Sequence, residues 1–469
     1  MKPARMHRSA MFVLPLLLLS ACAVTRVEPP PAVAAPAQFK ETGLWQRAAG
    51  SAPAVPDAWW QLFADPVLDD LQRQLVIGNE NLRFAVAQMA AARAQLAASR
   101  APLVPTLGAS VSATRSGGAS SSSEVQRGAS NNIAISVGAS WEVDLWGRLA
   151  QATNAAQASF EASADDLAAA RLSAQATLAQ TYLALRAAES QQALLERSVA
   201  AFRRSLELTQ ARYQSGVAAR SDVLQAETQL KSAQAQGIEA AVQRAQAEHA
   251  IAVLLGKPPS ALAIARTDAL PAAPAVPELL PATLLERRPD IAAAERRVAA
   301  AYARIGVADA AFFPALTLSA NAGWRATSFA DLFNAPSLFW SLGPALAQTL
   351  FDGGARRAAS DEARASADQA TSSYRQTVLV ALQEVEDNLV LADRLRAEAA
   401  LQQEALAAAR RNFEIVLEQY RAGTVSFLDV AAAQTAMLSS ERSLLELRNR
   451  ELAAINQLLK NIAGRWQSG

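Results

Sequence analysis

The chain has 469 residues, is 51% hydrophobic, holds two histidines and one cysteine, and carries a formal net charge of +1. That balance points to no strongly charged partner such as nucleic acid. One cysteine excludes an internal disulfide, and the histidine count leaves no zinc ligand set. The length fits two or three domains, or one elongated fold that is internally duplicated.

At the N-terminus, Lys2, Arg5 and Arg8 precede an apolar run from Met11 to Leu19. The run is too short to span a bilayer and reads as a secretory signal over 1–21. Removing its three positive charges takes the formal net charge from +1 to −2. Leu19-Ser20-Ala21-Cys22 resembles a bacterial lipobox, which makes Cys22 the expected first mature residue and the site of lipid attachment. Ala23 follows where an aspartate would retain such a lipoprotein in the inner membrane, so outer-membrane sorting is expected. Residues 22–58 form a tether, with an extended Pro/Ala stretch at 28–37.

A helix is expected from Asp65-Pro66, with Asp as N-cap and Pro at the first helical position, to about Arg100. Period-two alternation then marks strands: Leu107, Ala109, Val111 and Ala113 on one side of a Gly/Ser loop, and Ile133, Ile135, Val137, Ala139, Trp141 and Val143 on the other. This is a hairpin over 106–143. Next come 68 residues without glycine or proline, 148–215, then a helix over 222–255. A linker at 257–288 separates this first repeat, 59–256, from a second one over 289–464. The second repeat runs in the same order: a helix from Pro289-Asp290, a hairpin at 315–351, another 68 residues without glycine or proline at 355–422, and a helix at 429–463. A helix of that length measures roughly 100 Å at 1.5 Å per residue.

The copies agree in detail. Tyr213, Gly216, Asp222, Val223 and Thr228 fall on Tyr420, Gly423, Asp429, Val430 and Thr435 at one constant offset. Gly216 and Gly423 fit the glycine that closes a helix. Asp222 and Asp429 stand where they can cap the next one. Val378, Leu382, Val385 and Leu389 make a coiled-coil seam. The many alanines allow close approach of helices on more than one face.

Strands of about ten residues with one apolar face have the length and pattern of a transmembrane barrel. Four strands cannot close, and open edges do not sit in lipid. Copies must therefore share one barrel: a dimer would give about eight strands and a trimer about twelve. Strand physics does not choose between them. A catalytic centre has little to draw on. Outside the signal only His249 remains, 256–260 (GKPPS) lacks the earlier glycine of a phosphate loop because position 251 is Ile251, and no Gly-x-Ser-x-Gly occurs. No enzyme, metal or cofactor is expected beyond the covalent lipid on Cys22. With only Met89 and Met437 outside the signal, a thioether relay for copper is not supported. The rival reading is a periplasmic coiled-coil scaffold lipoprotein without a pore.

Seven segments carry a family resemblance: WWQLFADPVLDDL (59–71), WEVDLWGR (141–148), AVLLGKPP (252–259), LLERRPDIAAAE (284–295), FFPALTLSA (312–320), LFDGG (350–354) and the paired Tyr-x-x-Gly turns. With them the chain resembles the TolC family of outer-membrane efflux proteins, in its lipoprotein branch (OprM-like or NodT-type). The resemblance implies a mostly α fold with a β-barrel portion: a long α-helical barrel in the periplasm below a twelve-stranded transmembrane barrel shared by a homotrimer. It implies an exit duct that passively conducts substrates from an inner-membrane pump, commonly of the RND type, and a periplasmic adaptor (membrane fusion protein). Tyr213, Gly216, Arg220, Asp222, Tyr420, Gly423 and Asp429 are the candidate periplasmic tip and gate. Where some family members carry a basic residue, this chain has Val425. Arg212, Arg220 and Arg421 are the candidate replacements. Asp309, Arg287 and Arg288 read as caps or surface pairs.

Overall fold

The computed structural model describes residues 36–41, 58–117, 129–276 and 287–463. The signal, the Cys22 lipidation site and most of the tether lie outside these residues. In chain order the elements are α1 (Pro66–Gly78), α2 (Glu80–Arg100), β1 (Thr106–Ser116), β2 (Ser130–Val143), α3 (Arg148–Gln214), α4 (Arg220–Leu254), α5 (Pro289–Ala310), β3 (Ala315–Ala326), β4 (Leu338–Ala347), α6 (Ala355–Arg421) and α7 (Phe427–Ile462). The two long helices, α3 and α6, have 67 residues each. No described helix is long and apolar enough to cross a membrane.

The chain divides into two compact units. One holds 88–164 and 293–375, and with them the sheet. Its four strands are antiparallel in the order β1-β2-β3-β4. The register puts Leu107 opposite Ala139, Ala139 opposite Ala320 and Ala320 opposite Leu342. Because side chains alternate along a strand, one face is Leu107, Ala109, Val111 and Ala113, then Ile133 to Val143 at odd positions, then Leu316, Leu318, Ala320, Ala322 and Trp324, then Leu338 to Leu346 at even positions. This face is apolar across all four strands except at its loop end, where Arg115 faces Asn131. Leu107 and Trp340 are 77% exposed, Val111 and Leu342 75%. The opposite face carries mostly Ser, Thr, Gly, Ala and Asn. There Ser110 and Ser136 hydrogen-bond across the β1–β2 pair at 2.9 Å. β1 and β4 end the sheet with unpaired edges among the described residues.

Aromatic side chains mark both ends of the sheet. At the end joined to the helices, the Trp141 indole donates to the Leu103 carbonyl at 3.1 Å and Trp146 to the Pro314 carbonyl at 2.6 Å. Trp146 also stacks on Phe313 at 4.9 Å. At the loop end, Trp324 meets Phe333 edge-on, and Phe329 is exposed. β4 stops at Ala347, opposite Ala315, and not near 351. Pro314, directly before β3, offers no N–H to extend the ladder. Leu350 and Phe351 therefore lie beyond the strand, almost fully exposed. Below the sheet, Thr153 donates to the Ser99 carbonyl, and Asp309 accepts from Ser360 at 2.6 Å and Arg364 at 2.8 Å.

The second unit holds 33–87, 165–292 and 376–469. Its interior contains a buried ionic network. The Glu189 side chain, 0% exposed, lies 2.7 Å from Arg186 and 3.0 Å from Arg244. It also accepts the Thr267 N–H. Arg186 donates to Tyr182 Oη and to the Ala265 carbonyl, and Tyr182 donates to Asp65 at 2.5 Å. Burial and the Asp65 carboxylate push the Tyr182 hydroxyl well above its ordinary pKa. Arg244 reaches the Ile264 carbonyl, and Glu248 accepts the Ile264 N–H. The start of the linker is thus bound to α3 and α4 and does not hang free. Arg288 is another buried charge, not a surface pair: it holds Asp290 at 2.7 Å and Glu384 at 2.8 Å. Near the tether, the Lys40 and Glu41 N–H groups donate to the two carboxylate oxygens of Glu386 at 2.7 and 2.9 Å.

Three further local expectations change. The helix from Asp65 is broken at Asn79, whose side chain accepts the Leu82 N–H to start α2 and donates to the Leu254 carbonyl. The break lets Gly78 lie against Leu255, and Gly256 against Gly78, where a Cβ on either glycine would strike backbone. The seam on α6 runs through Val378, Ala381, Val385, Leu389 and Ala392, with Leu382 only half-buried. The smaller Ala381 takes the inner position. Finally, α4 and α7 begin two residues earlier than expected, at Arg220 and Phe427.

Removing one carboxylate from the Glu189 network leaves Arg186 with no acid partner and a buried charge uncompensated. Glu189→Ala is expected to cost about 3–5 kcal/mol of stability, seen as a large fall in the thermal unfolding midpoint. Glu80→Ala, which breaks the exposed pair with Arg83, is expected to cost under about 1 kcal/mol. Equal losses would contradict the assignment.

Candidate functional site: the paired helix turns

Both long helices end in the same hydrogen-bonded turn. Gly216 has φ +77° and Gly423 φ +81°, a left-handed conformation that costs a glycine little. The Gly216 N–H donates to the Tyr213 carbonyl at 2.9 Å and the Val217 N–H to the Arg212 carbonyl at 2.9 Å. In the second copy the Gly423 N–H donates to Tyr420 and the Thr424 N–H to Gln419, each at 3.0 Å. This is the Schellman pattern, which satisfies the last carbonyls of a helix. An added Cβ at Gly216 would touch nothing within 4 Å, so backbone conformation and not space demands the glycine there.

The acids do not stand at the N-caps. Ala219 and Ser426 occupy those positions, and Asp222 and Asp429 lie three residues on. Each carboxylate reaches back to the N-cap N–H, at 3.2 Å for Asp222 and 3.0 Å for Asp429. This is the acidic half of a capping box. Asp429 also accepts the Ser426 hydroxyl at 2.7 Å. That hydroxyl, followed by the Ser426 N–H, holds the Asp429 carboxyl below its ordinary 3.8.

The two turns are brought together by one arginine. Arg212 donates to the Tyr420 carbonyl at 2.8 Å and the Arg421 carbonyl at 3.2 Å. Its guanidinium lies 4.6 Å over the Tyr420 ring. A cation at the end of α6 also suits the helix dipole. Underneath, Tyr420 meets Phe427 edge-on at 5.7 Å in a cluster with Ala226, Val430 and Ala431. Gln229 donates to the Ala431 carbonyl at 3.0 Å. The repeated tyrosines therefore differ: Tyr420 is 3% exposed and Tyr213 45%. The Tyr420 hydroxyl is buried without a hydrogen-bond partner among the described residues. Of the candidate cations, Arg212 is the bracket, Arg421 pairs with Glu418 at 2.6 Å, and Arg220 is exposed at the first turn of α4. No group of three metal-ligating side chains is gathered among the described residues.

The sequence shows Arg212 but not its target, because the carbonyls of Tyr420 and Arg421 are more than two hundred positions away. The offset itself is a signal. Arg212 aligns with Gln419, so the bracket exists in one copy only.

Because folding lowers the Asp429 pKa, its contribution is present above the ordinary 3.8 and is lost as pH falls through the lowered value. Ser426→Ala is expected to lower the unfolding midpoint at neutral pH, with the difference from the unsubstituted protein shrinking below pH 3.8. A difference that does not change with pH would remove Asp429 from the cap.

Known proteins supply the context for this geometry. The family model described as outer membrane efflux protein matches residues 71–257 and 280–464, one block for each copy of the repeat. The pyoverdine export outer membrane protein OpmQ of Pseudomonas aeruginosa is 33% identical over 462 residues, 96% of each chain. The outer membrane protein OprJ of the same species is 30% identical, covering 97% of this chain and 95% of that one. Among solved structures, the outer-membrane channel OprN matches with a TM-score of 0.87 and 30% identity, over 94% of this chain and 99% of that one. The open-state MtrE outer membrane channel of Neisseria gonorrhoeae matches with a TM-score of 0.84 and 28% identity, over 94% and 98%. A duplicated chain with two 67-residue helices, a four-stranded sheet and twin turns belongs to the outer membrane efflux protein family, whose members are channels and not enzymes.

Proposed function

We propose that the chain is the exit duct of a tripartite efflux pump, assembled as a homotrimer that conducts substrates passively across the outer membrane. The observation that carries this reading is the sheet. It has one largely apolar face, one face of mostly small polar residues, and two edges unpaired among the described residues. Pairing the β1 edge of one copy with the β4 edge of the next removes both edges and makes a closed barrel. Three copies give about twelve strands, a barrel with its polar face inward. The aromatic side chains at the two sheet ends stand where interfacial girdles belong. In this arrangement the long helices form an α-helical barrel in the periplasm, and Cys22 carries a lipid anchor in the outer membrane.

The paired turns are the periplasmic tip. They meet the adaptor, and through it an inner-membrane pump of the RND type. Exposed Val217, Leu224 and Leu428 give this end apolar contact surface. Tyr213, Gly216, Arg220, Asp222, Tyr420, Gly423 and Asp429 shape the constriction. Asp429, exposed on α7, and Asp222, half-buried on α4, form acidic rings in an oligomer, which repel anions and hold cations.

The purified protein is expected to form ion-conducting pores in planar bilayers, and absence of conductance would rule out the duct. Asp429→Ala is expected to raise single-channel conductance. Tyr420→Phe loses no hydrogen bond to a described residue, so its unfolding midpoint is expected to stay near that of the unsubstituted protein. A rise in its conductance then reports that the hydroxyl takes part in closure after a rearrangement of the turn, whereas unchanged conductance in both variants leaves the residues a capping and packing role only. For the anchor, Cys22→Ser is expected to leave an unprocessed precursor with altered membrane partition. Unchanged processing and partition would exclude lipidation.

A further inference from the structure

The polar face of the sheet is almost free of charge. Along β1 it carries Thr106, Gly108, Ser110, Ser112, Thr114 and Ser116, and the same side of β2, β3 and β4 is similar. Two ionised groups stand out among its described residues. Glu142 is at the end joined to the helices, and Arg148 neutralises it with contacts of 2.8 Å to both carboxylate oxygens. Arg325 is at the loop end, opposite Ala134 in the register.

No carboxylate pairs with Arg325 among the described residues. Its guanidinium lies 4.9 Å from the centre of the Phe339 ring, and Phe339 sits on the same face, opposite Gly323. The ring supports the flat guanidinium. Among the described residues no ion pair neutralises it. The Asp331 carboxylate is taken up inside the β3–β4 loop by Ser328 at 2.6 Å and Asn334 at 3.3 Å. Arg115 lies at an odd position of β1, on the apolar side. A guanidinium held on an aromatic ring, with no hydrogen bond to another described residue, has the geometry to receive an anion.

We infer that Arg325 makes an anion-binding ring at the loop end of the pore, completed by its copies in neighbouring chains. This rests on the shared-barrel reading, in which the polar face points inward and each copy repeats the arginine at one height. The ligand class is a polyvalent anion, carrying several phosphate or carboxylate groups, that spans two or more guanidinium groups. The site lies at the opposite end of the strands from the helices, so it is distinct from the acidic turns. It gives the duct a charge step: cation-favouring at the turns, anion-holding at the outer mouth.

The test uses the full-length protein in planar bilayers with inorganic tripolyphosphate as probe. Conductance of the unsubstituted protein is expected to fall on addition from one side only, and less so at high salt, where exposed charges are screened. Arg325→Gln is expected to raise the half-blocking concentration by about fivefold or more, the scale of an exposed ion pair lost in each chain. Arg325→Lys retains the charge and is expected to stay closer to the unsubstituted protein than Arg325→Gln. Pores that conduct but show no one-sided block, or block Arg325→Gln equally well, would overturn the ring while leaving the duct intact. If the unsubstituted protein forms no pore at all, the shared barrel fails and the ring fails with it.

Discussion

The proposed duct depends on a sheet whose outer strands have unpaired edges among the described residues. Hydrocarbon offers no partner to a free N–H or carbonyl, so an open edge in lipid leaves each such group unsatisfied at a cost of several kcal/mol. β1 and β4 present such edges among the described residues, and the exposed apolar face suits a lipid surface. In the proposed duct, copies of the sheet pair edge to edge and remove both edges. Once copies surround an axis, the polar face lines a pore. The helices that leave one end of each sheet are then multiplied around the same axis.

Duplication makes this arrangement workable. α3 and α6 are of equal length, so both copies end their long helices in step, and the turns meet with Arg212 across them. The copies then diverge where they touch. One tyrosine is packed away and its counterpart is exposed. One N-cap is Ser426, with a hydroxyl that reinforces the cap, and the other is Ala219, with none. In the proposed duct these unlike turns alternate around the rim, which divides adaptor contact and closure between the copies.

Much of this was legible in the sequence because it is local. The hairpin at 106–143 follows from period-two alternation, and β1 and β2 have those outer bounds. The long helices follow from the absence of glycine and proline, and their ends lie within one residue of the expected ones. What was not legible depends on contacts distant in sequence. The break at Asn79 exists because Leu254 and Leu255 lie beside it. The inner position at Ala381 reflects how closely neighbouring helices approach, which an alanine-rich pattern leaves open. Glu189 looks like one more helical acid until Arg244 and the Thr267 N–H converge on it. At the turns, glycine and aspartate were visible as punctuation. The place of Asp222 and Asp429 at the third helical position needed the backbone, since helix starts shift by a residue or two without changing the pattern.

The central claim is that one chain supplies only part of a barrel. Native mass spectrometry of the detergent-solubilised mature protein tests it most directly. The account predicts a single dominant species containing three chains. A stable, folded single-chain species that conducts in bilayers would contradict it, because four strands would then have to close a pore unaided.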